Sequence, residues 1–422
     1  MRAIIQTGSN ELDNLGDRAM LEVLIDRVRA SHPEMQFSVF ARDAERVRSL
    51  ERGVNQIPVE QKRGWAIFRS AALAAGRALP ALDWLVRKRR PWWYQSILKL
   101  KARSLVNIEL IEKADILLVS GGGFITDVFT GQAWPVLERL SAADNRHIPF
   151  ALVGQGIGPL RDAELVQKAR AVLPHAKLIA IRERRHSLPL LLELGVSPKQ
   201  IVVTGDDAIE PAYDARRDTR GTLLGVNFRV ADYAGITQAD VDRLRRPMRA
   251  LAEKLGTKLV ALPVCIVNSV ESLSDATVAS HLVDPRIEGT DDLIPQTPIE
   301  LIERISGCRV VVTGSYHAAV FALAQGIPAV CVHNTEYYGN KFRGLADEFG
   351  EGCDVIDKGR TDFQNALLTT IESAWNRAED LQAPLLKQAV RQIQAQRQAY
   401  DRLSDIIDSL GVQSSEPRGR VA

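Results

Sequence analysis

The stretch RVVVTGSYHAAVFALAQGIPAVCV, residues 309–332, decides the fold. It reads as a valine-rich strand, a Gly-Ser turn, an apolar helix, a Gly-Ile-Pro break and a second apolar strand. Strand, crossover helix and strand at this spacing make a parallel βαβ unit, the building block of α/β domains. Working outward, the same alternation covers most of the chain. TLLGVNF (222–228), KLVALPV (258–264), CRVVVTG (308–314) and PAVCV (328–332) form one series of strands. RAIIQTG (2–8), QFSVFA (36–41), DILLVS (115–120), PFALVG (149–154), LIAIR (178–182) and IVVTG (201–205) form another. An amphipathic helix is expected from about Asp17 to Ala30, after a polar Gly/Asn loop.

Two series of strands predict two Rossmann-like α/β domains facing a cleft, at residues 1–216 and 217–375. Toward the C-terminus, Leu386, Val390, Ile393, Tyr400, Leu403, Ile407 and Leu410 share one helical face, with Gly411 as the stop. A C-terminal helix is therefore expected over 376–412, and a disordered tail over 413–422. This arrangement is similar to that of GT-B transferases. Open α/β sheets bind ligands at the carboxyl ends of their strands, so the cleft edge is where chemistry is expected.

Composition narrows the function. The 54 Lys+Arg against 52 Asp+Glu exclude a chain-wide polybasic binder, and no nucleic-acid partner is expected. Cys265, Cys308, Cys331 and Cys353 are scattered without C-x-x-C or metal spacing, as expected for reduced thiols in a cytosolic core. No apolar run approaches the roughly 18–20 residues of a membrane span. The start, MRAIIQTGSNELDN, turns polar too early for a signal peptide. A cytoplasmic protein is expected.

One segment breaks the alternation. Residues 62–103 hold eleven Lys/Arg against one acid, Asp83, and four of the six tryptophans: Trp65, Trp84, Trp92 and Trp93. Basic residues interleaved with Trp suit the headgroup layer of an anionic membrane, which would make the protein peripheral at the inner face of the cell membrane. A helical insertion with packed tryptophans and solvated charges fits the same composition.

The candidate site residues cluster at strand ends. Asn14-Leu15-Gly16-Asp17 follows the first strand, where backbone N–H groups and the helix dipole favour an anion. Asp17 suits a helix N-cap as well, whereas Asn14 adds a polar group that a cap at Asp17 does not require. Gly121-Gly122-Gly123-Phe124 and Gly154-Gln155-Gly156-Ile157-Gly158-Pro159 are glycine loops that let a ligand approach the backbone. Arg182, beside Glu183, offers a fork for carboxylate or phosphate, or else a surface ion pair. Asp206-Asp207 is a carboxylate pair at the same level, without supporting metal ligands. Asn227 and Arg229 end the first strand of the second domain, facing the cleft. Gly314-Ser315-Tyr316-His317 is the sharpest signal: a histidine at a helix N-terminus stays available as a base, because the dipole disfavours its charged form. Lys341 and Arg343 add two cations in a loop after the next strand. The other histidines, His186 among them, have no comparable context.

Together, N-L-G-D, G-G-G-F, G-Q-G-I-G-P, R-E-R-R-H-S, the Asp pair and S-Y-H-A-A-V-F-A-L-A-Q-G-I-P-A-V resemble the polysaccharide pyruvyl transferase family, in order, from about residue 5 to 350. The resemblance implies a GT-B-like enzyme that moves the enolpyruvyl group of phosphoenolpyruvate onto a sugar, as a ketal. The acceptor would be a cell-surface polysaccharide or its lipid-linked oligosaccharide precursor. It implies that Arg182 and His317 help bind phosphoenolpyruvate, with Lys341 a third contact, and puts Asn14 and Asp17 in the N-terminal part of the cleft. On that scheme His317 is the acid–base residue and Asp17 orients or deprotonates the sugar hydroxyl. Gly16, Gly122, Gly123, Gln155, Gly156, Asn227, Arg229, Ser315, Tyr316 and Arg343 complete the expected binding set. Neither a nucleotide, a metal nor another cofactor is required. In one departure, Ser315 stands where many members carry Arg two residues before the histidine, and Lys341 or Arg343 is expected to supply the missing cation. A GT-B glycosyltransferase using a nucleotide sugar, with Glu336 the nearest ribose clamp, and a non-catalytic membrane-associated sugar-binding protein are the alternatives.

Overall fold

The computed structural model describes residues 1–8, 10–50, 52–59, 102, 106–267, 274–279, 281–283 and 294–415. Of the basic Trp-rich segment 62–103 only Ala102 is among them, so the expected membrane contact lies outside the described residues.

Two parallel sheets form the frame. The first contains β1 (Arg2–Gln6), β2 (Gln36–Ala41), β3 (Asn55–Pro58), β4 (Ile116–Val119), β5 (Gly122–Ile125), β6 (Phe150–Ile157), β7 (Leu178–Ile181) and β8 (Ile201–Val203). Its order is β3-β2-β1-β4-β6-β7-β8, with β5 paired to β6. The second contains β9 (Leu223–Asn227), β10 (Leu259–Ala261), β11 (Cys308–Thr313), β12 (Ala329–His333) and β13 (Cys353–Asp357), in the order β10-β9-β11-β12-β13. Central strands such as ILLV and LIAI are buried at every residue, the continuous apolar pattern of a sheet covered on both faces. β3 and β13 were not expected from the pattern. Both are edge strands with exposed polar residues, and an edge lacks the apolar run that marks a central strand.

Five helices bring residues to the cleft or tie the lobes together: α1 (Leu15–Ser31), α2 (Ser187–Glu193), α3 (Tyr316–Ala324), α4 (Glu336–Phe349) and α5 (Phe363–Ser415). Asn14, not Asp17, caps α1: its side-chain oxygen accepts from the Gly16 and Asp17 N–H groups at 2.9 and 3.2 Å. Every residue of α3 is buried, as the unbroken apolar sequence demands. Tyr337 to Arg343, expected in a loop, lie inside α4, which Thr335 caps.

The closing helix is longer than its pattern indicated. It spans 53 residues, about 80 Å at 1.5 Å per residue, beginning upstream of the expected 376 and passing through Gly411. Leu367, Ile371 and Ala374 pack it on the second lobe, and Ala399, Tyr400, Leu403 and Ile407 pack it on the first. The core between these ends draws on α1, α3 and α5 together. Glycine in a helix costs about 1 kcal/mol relative to alanine, too little to stop a helix held by that much packing. Residues 413–415 of the expected tail form its last turn, and 416–422 lie outside the described residues.

Candidate functional site

The lobes meet where α1 faces α3. Leu15 N–H donates to the Val264 carbonyl at 2.9 Å, Ile266 N–H donates to Asp13 at 3.2 Å, and Asn14 bridges Cys265. Gly16 lies against His317, and a Cβ there would overlap the imidazole. The expected loop residue Gly16 is thus a close-approach position in the first turn of α1.

At the centre is Asp206, in the turn after β8, which was noted in the sequence but given no role. Its Oδ2 accepts from Arg182 Nη1 at 2.7 Å and lies 3.7 Å from His317 Nε2, while its Oδ1 accepts from Ala208 N–H. Arg182, His317 and Asp206 are all buried, at 3%, 5% and 1% exposure. Burial works against the charge of Asp206, but Arg182 first and His317 second outweigh it and hold the carboxyl well below the usual range. Burial likewise opposes the charge on Arg182, and Asp206 overcomes it, so the guanidinium stays ionised. Among the described residues, Arg182 Nη2 and His317 Nε2 have no hydrogen-bond partner.

Around this core lie the other charges. Asp17 is raised by burial, against the pull of His317, Lys341 and Arg182. Lys341, from the second turn of α4, is brought down to about 7 by burial and by Arg182, against Asp17 and Asp206. Its ammonium sits 4.4 Å from the Tyr337 ring and 5.6 Å from that of Tyr316. A Cβ on Gly123 would lie 2.6 Å from Lys341 Nζ. The Tyr337 hydroxyl donates to the Gly123 carbonyl at 2.6 Å, so the glycine run, which forms β5 rather than a plain turn, supplies a lobe-to-lobe contact.

A cavity of about 230 Å³ opens beside this cluster, lined by Gly156, Arg182, His186, Tyr316, Tyr337 and Lys341 among others. His317 and Asp17 stand behind its wall rather than on it. Tyr316 lies under Arg182, with Cζ 4.8 Å from the ring centroid. Glu336 also reaches the cavity, where it pairs with Arg161 across the lobes.

Other expected residues have different surroundings. Gln155 is buried and donates to the Ser120 and Val153 carbonyls at 2.8 and 2.7 Å, bracing the glycine loops. Gly122 packs on Phe124. Ser315 precedes α3, its N–H bonded to Thr313 Oγ1 and its side chain making no cap. Asn227 donates to the Leu262 carbonyl and to Asp275, and Arg229 Nη1 pairs with Asp275 at 2.9 Å. Arg343 is exposed: two residues from Lys341 on α4, it faces away from the cluster. Of the two cations expected to replace the missing Arg, only Lys341 reaches the site. The sequence reading missed Tyr337 and His186; a tyrosine one turn before Lys341 was the available signal for the first.

The family model described as Polysaccharide pyruvyl transferase matches residues 14–336. The chain belongs to the polysaccharide pyruvyl transferase family. Membership makes it a transferase of polysaccharide modification, and the match spans Asn14, Asp17, Arg182, Asp206 and His317, stopping just short of Lys341. No curated protein matches the chain. Among solved structures it is similar to S. aureus MnaA with UDP (TM-score 0.56, 14% identity, 99% of this chain and 98% of that one). It is also similar to UDP-GlcNAc 2-epimerase from Neisseria meningitidis bound to UDP-GlcNAc (0.54, 14%, 98% and 100%). A glycosyltransferase from Rickettsia africae aligns as well (0.54, 10%, 96% and 98%). At such identities the likeness is one of fold, and the fold is GT-B. Among the described residues no helix is long and apolar enough to cross a membrane.

Proposed function

We propose that this family member transfers the enolpyruvyl group of phosphoenolpyruvate to a sugar of a cell-surface polysaccharide or its lipid-linked precursor, closing a pyruvate ketal. One observation carries the reading: Arg182 shares a cavity wall with Lys341 and keeps a buried nitrogen without a hydrogen-bond partner among the described residues. Phosphoenolpyruvate presents a phosphate and a carboxylate, and a fixed guanidinium beside an ammonium matches two anionic groups. Leaving a guanidinium nitrogen buried without an acceptor is costly, and an arriving anion removes that cost.

The chemistry follows from charge. A sugar hydroxyl adds its oxygen to C2 while C3 takes a proton, turning the methylene into a methyl group. A second hydroxyl attacks C2, the bond from C2 to the phosphate oxygen breaks, and phosphate leaves. One hydroxyl proton ends on the methyl group and the other on phosphate. His317, behind the cavity wall and 3.7 Å from Asp206, acts through Asp206 and Arg182 rather than by touching the donor. Asp17, also behind the wall, sets the field on Lys341 and Arg182, and the Arg182–Lys341 pair stabilises the charge that builds on the donor. The basic segment 62–103 would keep the enzyme at the inner membrane face, where a lipid-linked acceptor resides.

The test is phosphate release from phosphoenolpyruvate in the presence of a lipid-linked oligosaccharide pool. Acceptor-dependent phosphate supports the reading. Nucleotide release from sugar nucleotides instead would assign the cleft to glycosyl transfer, and release of neither would leave it a binding surface.

A further inference from the structure

Asp206 holds Arg182, and something must hold Asp206. The turn Thr204-Gly205-Asp206-Asp207 lies on the closing helix, almost two hundred residues away in sequence. Gln396 Nε2 donates to the Asp206 carbonyl. The Tyr400 hydroxyl donates to Asp207 Oδ2 at 3.0 Å. Gly205 adopts φ +78°, and a Cβ there would collide with the Gln392 side chain. Gln392, Gln396 and Tyr400 are spaced by four residues, so they form one stripe along α5. All three are buried, at 5%, 1% and 8% exposure. On the same helix Leu385, Ala389, Leu403 and Ile407 make ordinary apolar contacts. Burying a glutamine amide or a tyrosine hydroxyl is unfavourable unless it finds a hydrogen-bond partner. The Gln396 amide N–H and the Tyr400 hydroxyl both find theirs on the turn that carries the Arg182 partner, while Gln392 packs on Gly205 and donates to Gln388 of its own helix.

We propose that Gln396 and Tyr400 are positioning residues for the donor site: through the Asp206–Asp207 turn they fix Arg182 with one nitrogen on Asp206 and its side chain on the cavity lining. Neither residue lines the cavity or lies within residues 14–336, so both act through the turn. Asp207 needs the Tyr400 bond, because burial and the adjacent charge of Asp206 lift its carboxyl to about 7. A turn with two adjacent carboxylates repels itself, and a hydroxyl donor on one of them keeps it in a single geometry. The inference rests on the phosphoenolpyruvate reading for its kinetic consequence, but not for its structural one.

The experiment compares Tyr400→Phe and Gln396→Leu with Leu403→Ala in the full chain. Leu403 packs the same helix on the same lobe and makes no polar contact with the turn. For the two polar variants KM for phosphoenolpyruvate should rise about tenfold, with kcat changed less than about threefold, as when one hydrogen bond that orients an ionic group is lost. Leu403→Ala should lower the melting temperature at least as much and leave KM within about twofold. Equal KM changes in all three variants, or none, would overturn the proposal. A wild type that releases no phosphate defeats the functional reading alone. The positioning role is then read from the Arg182 Nε–H resonance in ¹⁵N-arginine-labelled protein, assigned by its loss in Arg182→Lys. It should shift in Tyr400→Phe and stay in Leu403→Ala; an unmoved resonance in both also overturns the proposal.

Discussion

Each lobe buries one arginine against one aspartate at the cleft end of its sheet, and the two pairs have different fates. In the second lobe Arg229 Nη1 lies 2.9 Å from Asp275, Arg229 Nε donates to the Tyr233 hydroxyl, and Asp275 also accepts from Asn227 and the Val264 and Cys265 N–H groups. In the first lobe Arg182 binds Asp206 with Nη1 while its buried Nη2 has no partner among the described residues. Both pairs are buried, that of the first lobe slightly the deeper, so burial does not make it the more open of the two. What differs is saturation: the Asp275 carboxylate is filled by protein donors, whereas the Arg182 guanidinium, on the cavity lining, keeps one buried nitrogen without a partner among the described residues. The first pattern is that of a scaffold, and the second is that of a site.

Four predictions bear on this contrast. Arg182→Leu should reduce turnover on the order of 10²–10⁴-fold, the range for losing a preorganised charge at a reacting centre. Its folding penalty should be the smaller of the two arginine variants, since His317 Nε2 stands 3.7 Å from the carboxylate left behind. Parallel kinetics and urea denaturation check both parts. Arg229→Leu should lower folding stability by about 3–5 kcal/mol, because it strands Asp275 among donors arranged for a charge. Urea denaturation of that variant measures it directly, and a loss below 1 kcal/mol would end the distinction between the pairs.

Smaller effects sharpen it. Gly16→Ala should destabilise by about 1–3 kcal/mol through overlap with the His317 ring, read as a drop in melting temperature. The last concerns pH. Lys341 is held at about 7 by burial and Arg182, against Asp17 and Asp206. In the proposed clamp its ammonium form binds the anion, and that form is depleted as pH rises. KM for phosphoenolpyruvate should therefore be lowest below pH 7 and climb toward tenfold per pH unit above it. In Lys341→Arg, with a cation that does not titrate, this rise should flatten. A pH-independent KM in the wild type would remove Lys341 from the clamp.

Particular residues show how much was legible in advance. His317 and Arg182 stood out because a turn at a strand end is a recognisable local pattern, and both are in the cluster. Asp206 was visible as half of a carboxylate pair, yet its partner is separated by 24 residues and lies on the neighbouring strand. The two cations of α4 looked equivalent in sequence. Helical geometry sends Lys341 into the cleft and Arg343 to solvent, a difference that requires knowing that the segment is helical. Asp17 reads as a candidate cap and Asn14 as a polar group beyond it, whereas Asn14 is the cap and Asp17 a buried acid, because capping depends on backbone angles at one residue.

Taken alone, the sequence determined the α/β class, the strand ends that carry the candidate site and the family, since these rest on local periodicity and short motifs. Tertiary structure decided which polar groups are saturated and which are left open, and that the last helix runs back to brace the first lobe. The reason is physical: hydrogen-bond satisfaction is a property of groups brought together from distant parts of the chain, and no local pattern records who meets whom.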